Sequence, residues 1–459
     1  MSSHYEPQVL TQTPQEVTQE ILGLTKRWGK DFKIALAIFG GLFLIGIIGF
    51  VIRISGGLND LNSWGYFMAT YAFLLTTASS APIVSITQRM VRSHWRRPMA
   101  RASEMFAVVG ILSTLMFIPL ILLLPSAEGR RSMWFEWPGT PLVTDLLAVI
   151  FLSILGLALL WVASIPDLAA RRDHDRTMPR WAVRLTMDWR GTDRQWKVLR
   201  GALMLMGALY FLFLVYVHTI IAADFAMALV PGWKDAILPT YHALSGLQSA
   251  FASTVVATFL LYKFGGFKGF ISVDQFWSAG KIMFALSLLW AYFWMSGFMI
   301  YWYGRQPVEQ NILRYLMFEA YIVPFVISVV FNFLVPFLVL LWNFARRSVL
   351  GPAIVGFSIL FGTLFDRIRL YVASFSAGEN TESLEALHPE PLSQVLPAVM
   401  PGVPDVMMVV GGISGAIFLY MLATKLIPAV SIWEITEGML YRTRRTFLKR
   451  TIMVMGKPE

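Results

Sequence analysis

The sequence predicts an all-α, polytopic membrane protein with about ten spanning helices, and three observations carry that reading. Of 459 residues 56% are hydrophobic and only 14% charged, against about 25% charged in an ordinary soluble domain. The apolar residues fall in runs long enough to cross hydrocarbon, which takes about 20 residues of helix. The basic residues collect in alternate loops between those runs, the positive-inside pattern of membrane chains.

Runs of the required length lie near 32–54, 64–87, 103–124, 142–165, 200–230, 237–262, 277–302, 313–343, 351–374 and 403–424. They divide the chain into an N-terminal segment 1–31, a transmembrane domain 32–424 and a basic tail 425–459. Pro119, Pro324 and Pro336 fall inside runs, which packed membrane helices tolerate. The first 31 residues are polar and the first apolar run is too long for a signal peptide, so no cleavage is expected.

Arg89, Arg92, Arg96, Arg97 and Arg101 lie between the second and third runs, and residues 171–200 hold eight arginines and Lys197. Lys263 and Lys268, Arg346 and Arg347, and the tail residues Arg442, Arg444, Arg445, Lys449 and Arg450 continue the series. Arg130 and Arg131 fall in an alternate loop, whereas 376–402 has four glutamates and no Lys or Arg. Both termini are therefore expected in the cytoplasm and 376–402 outside it. The net charge of +10 belongs to this topology and does not point to nucleic acid. The chain has no cysteine, which excludes disulfides, thiolate zinc and any iron–sulfur cluster held by its own thiolates.

Ionisable groups at membrane depth are functional candidates by default. By the topology, Tyr71, His218, Asp224, His242, Glu319, Asp366, Arg367 and Arg369 all fall in the outer half. The inner half is expected to hold little beyond Lys281 and Glu104. His218 and Asp224, six residues apart, are expected to serve one pocket without touching, each able to accept a proton. The alternative for Asp366, Arg367 and Arg369 is a structural ion-pair network. Gly40, Gly41, Gly46 and Gly49 mark close helix packing, and Trp233, Trp302 and Tyr303 an interfacial belt. Of the six histidines only His218 and His242 qualify as axial haem ligands, and they are expected at different depths.

The words His218-Thr-Ile-Ile-Ala-Ala-Asp224-Phe-Ala-Met-Ala-Leu-Val-Pro-Gly-Trp233, Ile237-Leu-Pro-Thr-Tyr241 and Trp189-Arg-Gly-Thr-Asp-Arg-Gln-Trp196 resemble the NrfD/PsrC-type membrane subunits of bacterial alternative complex III. Tyr301-Trp-Tyr-Gly-Arg-Gln-Pro-Val-Glu-Gln310 is similar to the outer end of that family's seventh helix, and Phe365-Asp-Arg-Ile-Arg369 to its helix-nine pair. The similarity covers most of 189–369, and within the family it is nearer the ActC type of subunit than ActF. It implies ten helices, with two four-helix bundles, and a menaquinone (or other quinone) site near the outer face, with no metal or haem held by the chain itself. The implied partners are an iron–sulfur subunit outside, cytochrome c subunits and a paralogous NrfD-type membrane subunit. The resemblance puts His218 and Asp224 in catalytic positions, and Tyr71, His242, Glu319, Asp366, Arg367 and Arg369 along the quinone or proton route. The second run lacks the family's histidine, and Ser296 stands where its seventh helix has an acid. Two other classes fit the same composition, a secondary transporter and a non-catalytic anchor subunit. Inverted repeats and unwound helices, the marks of a transporter, are not evident in the sequence.

Overall fold

The computed structural model describes residues 11–124, 140–175, 178–230, 232–379, 395–447 and 450–455. Arg130, Arg131 and most of the acidic stretch 376–402 lie outside the described residues. The chain is helical except for a C-terminal hairpin, in which β1 (Arg442–Phe447) pairs antiparallel with β2 (Arg450–Met455). The long helices are α2 (Lys30–Ser55), α5 (Arg97–Leu123), α6 (Thr140–His174), α7 (Asp193–Asp224), α8 (Leu238–Lys263), α9 (Val273–Gly304), α10 (Ile322–Leu340), α11 (Leu350–Glu379) and α12 (Val403–Leu426). Among the described residues eight of these, all but α11, are long and apolar enough to cross a membrane. The chain is a multi-pass membrane protein.

The second and eighth runs take forms that the sequence reading did not anticipate. Residues 64–87 become two helices, α3 (Gly65–Thr77) and α4 (Ile83–Met90), separated by turns at 78–82. Pro82 has no N–H to continue the ladder, and the small residues before it leave room for the chain to turn. Residues 313–343 open with a π-helical turn, Arg314–Phe318, and a bend before α10 begins. Glu319 sits on that bend.

Every residue of α3 is buried, enclosed by α11, α12, α8 and α5. Around it α5, α6 and α7 pack in sequence, with α4 against α7, while α8 packs on α9 and α11, and α10 on α11. α2 lies outside against α12. Its glycines explain why: a Cβ on Gly46 would stand 2.4 Å from the Gly411 Cα, and one on Gly49 2.7 Å from the Met407 Cβ. Backbones approach this closely only where both faces lack side chains. Gly41 meets nothing within 4 Å, so close packing does not account for it.

Contacts between distant segments define the two ends of the bundle. At one, Arg53 pairs with Asp405 at 2.5 Å and the Tyr66 hydroxyl donates to the Val399 carbonyl. At the other, Lys425 donates to the Arg27 carbonyl and Lys26 pairs with Asp175. This second, basic end is capped by α1 (Pro14–Lys26) and α13 (Ile432–Leu440), which touch each other. α1 starts on a capping box between Thr13 and Glu16 and buries Val17, Ile21 and Leu22.

The basic end is also far richer in buried charge than expected. Arg89 pairs with Glu104 at 2.5 Å and Glu434 at 2.6 Å, and Arg101 with Asp167 at 2.8 Å and Glu104 at 3.4 Å. Asp167 also accepts from the Ser431 hydroxyl and the Trp433 N–H. These bonds lock α4, α5, α6 and α13 together. Burial by itself would raise the Glu434 pKa, but Arg96 and Arg89 outweigh it and hold the carboxyl below its usual range. A depressed folded pKa contributes stability that is present above the ordinary value, 4.5, and is lost as pH falls through the folded value. Glu434→Gln should therefore lower stability by about 3–5 kcal/mol at neutral pH, as breaking a buried pair does, and should flatten the acid limb. Thermal melts in detergent from neutral to acid pH check this; an acid limb unchanged in the variant would refute it.

Candidate functional site

Four buried side chains from four elements form one hydrogen-bonded chain. Ser80, at the break between α3 and α4, bonds His218 of α7 at 3.0 Å. His218 and His242 of α8 meet through their Nδ1 atoms at 2.7 Å, and Tyr371 of α11 meets His242 Nε2 at 2.8 Å. All four are at most 1% exposed. The bond pattern assigns the protons. The Ser80 hydroxyl donates to the Leu75 carbonyl, so it accepts from His218 Nε2–H; His218 Nδ1 then accepts from His242 Nδ1–H, and His242 Nε2 from the Tyr371 hydroxyl. Both imidazoles are neutral in this arrangement and every bond runs the same way. The histidines lie at one level, in contact, and not at different depths.

Gly246 makes this approach possible. A Cβ there would lie 2.7 Å from His218 Nε2 and 2.9 Å from Ser80 Oγ. The helix break supplies Ser80, and the glycine on α8 clears the space it shares with His218.

Beside this chain, on α11, lies an ionic group. Asp366 Oδ1 accepts from Arg369 at 2.8 Å and from the Tyr241 hydroxyl at 3.1 Å, and Oδ2 faces Arg367 at 3.5 Å. The ion-pair network considered for these three residues is thus present. Arg367 stands apart within it. It is completely buried, yet its Nε, Nη1 and Nη2 make no hydrogen bond among the described residues. Its charge acts on His218, His242, Tyr371 and Tyr241.

A third group holds Tyr71, Asp145 and Asp224. Tyr71 is fully buried and stacks on Phe117 at 5.1 Å, and its hydroxyl makes no hydrogen bond among the described residues. Tyr371 and Asp145 are its ionisable neighbours. Asp145 of α6 interacts directly with Asp224 at the end of α7, both buried. His218 and Asp224 do not bond each other. Glu319 is outside the cluster, its side chain 41% exposed and bonded to Arg314 at 2.5 Å.

A narrow cleft, partly open at the surface, reaches the ionic group. Trp233, Trp294, Phe298 and Leu316 line it, and Tyr241 and Arg369 stand in its wall. The rings of Trp294 and Phe298 on α9, Phe318 in the π-helical turn and Phe325 on α10 make a continuous aromatic series.

Of the residues predicted from sequence, the structure brings together His218, His242, Asp366, Arg367 and Arg369, with Tyr71 and Asp224 in the adjoining group. Sequence reasoning missed Ser80, Tyr371, Asp145 and Gly246. Asp145 had a usable signal, an acid inside an apolar run; the other three are ordinary helix residues whose role exists only in the packed form. No family model and no curated protein matches the chain.

Gly246→Ala should push His218 away from Ser80 and break the chain at that bond while the bundle still folds. An added methyl in a tight core costs about 1–3 kcal/mol, so the melting point should fall only modestly. Imidazole proton resonances in labelled protein report the change; an unaltered His218 signal would contradict the described contact.

Proposed function

We propose that this chain is the quinone-binding membrane subunit of a multi-subunit quinol:acceptor oxidoreductase of the NrfD/PsrC kind. In this reading α3–α4 and α11 join the eight apolar helices to make ten spans. One four-helix bundle is α3–α4 with α5, α6 and α7, the other α8 to α11. The basic end is cytoplasmic, as both termini would be, in a bacterial inner membrane. Electrons would pass to an iron–sulfur subunit seated over the opposite end, with cytochrome c subunits and a paralogous membrane subunit completing the assembly.

The observation that carries the proposal is Arg367, a fully buried guanidinium whose nitrogens make no hydrogen bond among the described residues; it stands beside a hydrogen-bonded His–His–Tyr chain and shares Asp366 with Arg369, which lies in the wall of an aromatic cleft. A menaquinone-type head presents oxygen acceptors to such donors and a flat ring to such aromatics. An isoprenoid tail would lie against the apolar surface of Trp294 and Phe298. Quinol, when bound, supplies two electrons and two protons. Arg367 would fix an oxygen, with Asp366 balancing its charge. The Tyr371–His242–His218–Ser80 chain and the Asp145–Asp224 pair would each hold or relay a proton at named atoms.

Asp224→Asn should leave the complex assembled and lower quinol:cytochrome c turnover by about 10²-fold or more, the scale for losing a general base. Arg367→Ala should also assemble, because Asp366 keeps Arg369 and Tyr241; its expected effect is a raised KM for quinol. His218→Phe should fall between the two. Full turnover in Asp224→Asn and Arg367→Ala alike would favour the anchor reading.

The secondary-transporter reading has one observation in its favour, the unwound segment at 78–82 that places Ser80 in the site. Ion-dependent uptake by the chain alone in liposomes, with no quinone retained, would replace the first proposal. Orientation has its own check. In this cysteine-free chain, a cysteine at Ser93 should react only from the cytoplasmic side and one at Ser55 only from outside; the reverse would invert the topology.

A further inference from the structure

We infer a phosphate-headgroup site for an anionic phospholipid on the membrane-facing surface of α9, at the basic end. It is formed by Lys281, Arg347 and the ring of Trp277. Lys281 Nζ lies 4.3 Å from the Trp277 ring centre and the Arg347 guanidinium 4.5 Å from it. The two cations therefore stand at most about 9 Å apart around one aromatic ring.

Nothing among the described residues neutralises them. Among the described residues, none of the ion pairs includes Lys281, Arg346 or Arg347. The neighbouring Arg346 has a buried Nε with no hydrogen-bond partner. The contrast with the buried network at the same end is sharp, since there each arginine has a carboxylate.

Position selects the ligand. Lys281 is exposed and lies eight residues into α9, about 12 Å along the helix axis at the usual rise. Its side chain turns back over Trp277, one turn toward the basic end, as a long cation does when its helix stands in hydrocarbon. Leu338 is 51% exposed, Trp342 57%, Phe344 77% and Leu350 57%. Charges surrounded by such surface meet lipid, and basic sites between helix ends on this side of a membrane hold anionic headgroups. One phosphate spans Lys281 and Arg347 while the acyl chains lie along α9 and α10. This inference needs only the membrane location and is independent of the quinone reading.

The test uses the full native assembly in vesicles of phosphatidylcholine alone and of phosphatidylcholine with an equal share of phosphatidylglycerol. Wild type should keep phosphatidylglycerol in preference to phosphatidylcholine through delipidation, read by native mass spectrometry, and should melt higher in the mixed vesicles. Lys281→Ala with Arg347→Ala should lose both effects. The charge-conserving pair Lys281→Arg with Arg347→Lys should keep them. If the double alanine variant fails to assemble, wild type alone decides, since equal retention of the two lipids would overturn the site. So would an alanine variant that keeps the preference, or inorganic phosphate that reproduces the stabilisation, which would mark a free-anion site.

Discussion

A hydrogen-bonding group facing hydrocarbon has only the protein to satisfy it, and this constraint accounts for most of the polar architecture here. The bond between His218 and His242 is its clearest expression. Neither ring could be buried alone, and each completes the other, with Ser80 and Tyr371 closing the two ends. The requirement then propagates outward. Ser80 is available because α3 stops; Gly246 is a glycine because the contact leaves no room for a Cβ. Tyr371 comes from α11, so the chain ties four elements at one depth. The basic end meets the same constraint with ions, where Arg89 and Arg101 bridge α4, α5, α6 and α13.

Much of this was legible in the sequence, for reasons that differ by residue. The helical membrane architecture follows from run length and from loop charge. The glycines at 46 and 49 read correctly as packing positions, since small residues have few other uses on an apolar helix. Asp366, Arg367 and Arg369 were visible as costly charges, and their spacing of one and three residues already suggested mutual pairing. What stayed hidden depends on contacts between distant segments. Nothing local distinguishes Tyr371 from other tyrosines near a helix end. Depth judged from run boundaries separated His218 from His242, because it ignores the turn after α7 that lets α8 start at the right height. Run length also hid the break at 78–82, which composition alone reads as continuous helix. The inner half was underestimated because Asp167 and Glu434 lie just beyond the apolar runs.

The two buried charge systems differ in kind. At the basic end cations and anions face each other and the result is rigid: removing one partner strands the other. Around Arg367 the count is uneven. Asp366 serves two arginines and a tyrosine, and one guanidinium retains donors that no described group uses. That difference in the balance of cations and anions, more than any single residue type, separates the two regions.

The common direction of the bonds from Tyr371 to Ser80 has a kinetic consequence. Passing one proton along such a row reverses every bond in it, and a second cannot follow until the groups turn back. The Ser80 hydroxyl hydrogen must first swing off the Leu75 carbonyl, and two imidazoles that face each other through Nδ1 cannot donate together. Re-arming the row is therefore a matter of side-chain rotation in a packed interior, slower than the picosecond-to-nanosecond flips of exposed rotamers. A row used as a proton relay would fire once per reset, and the tight packing around Gly246 would set how long that refractory interval lasts.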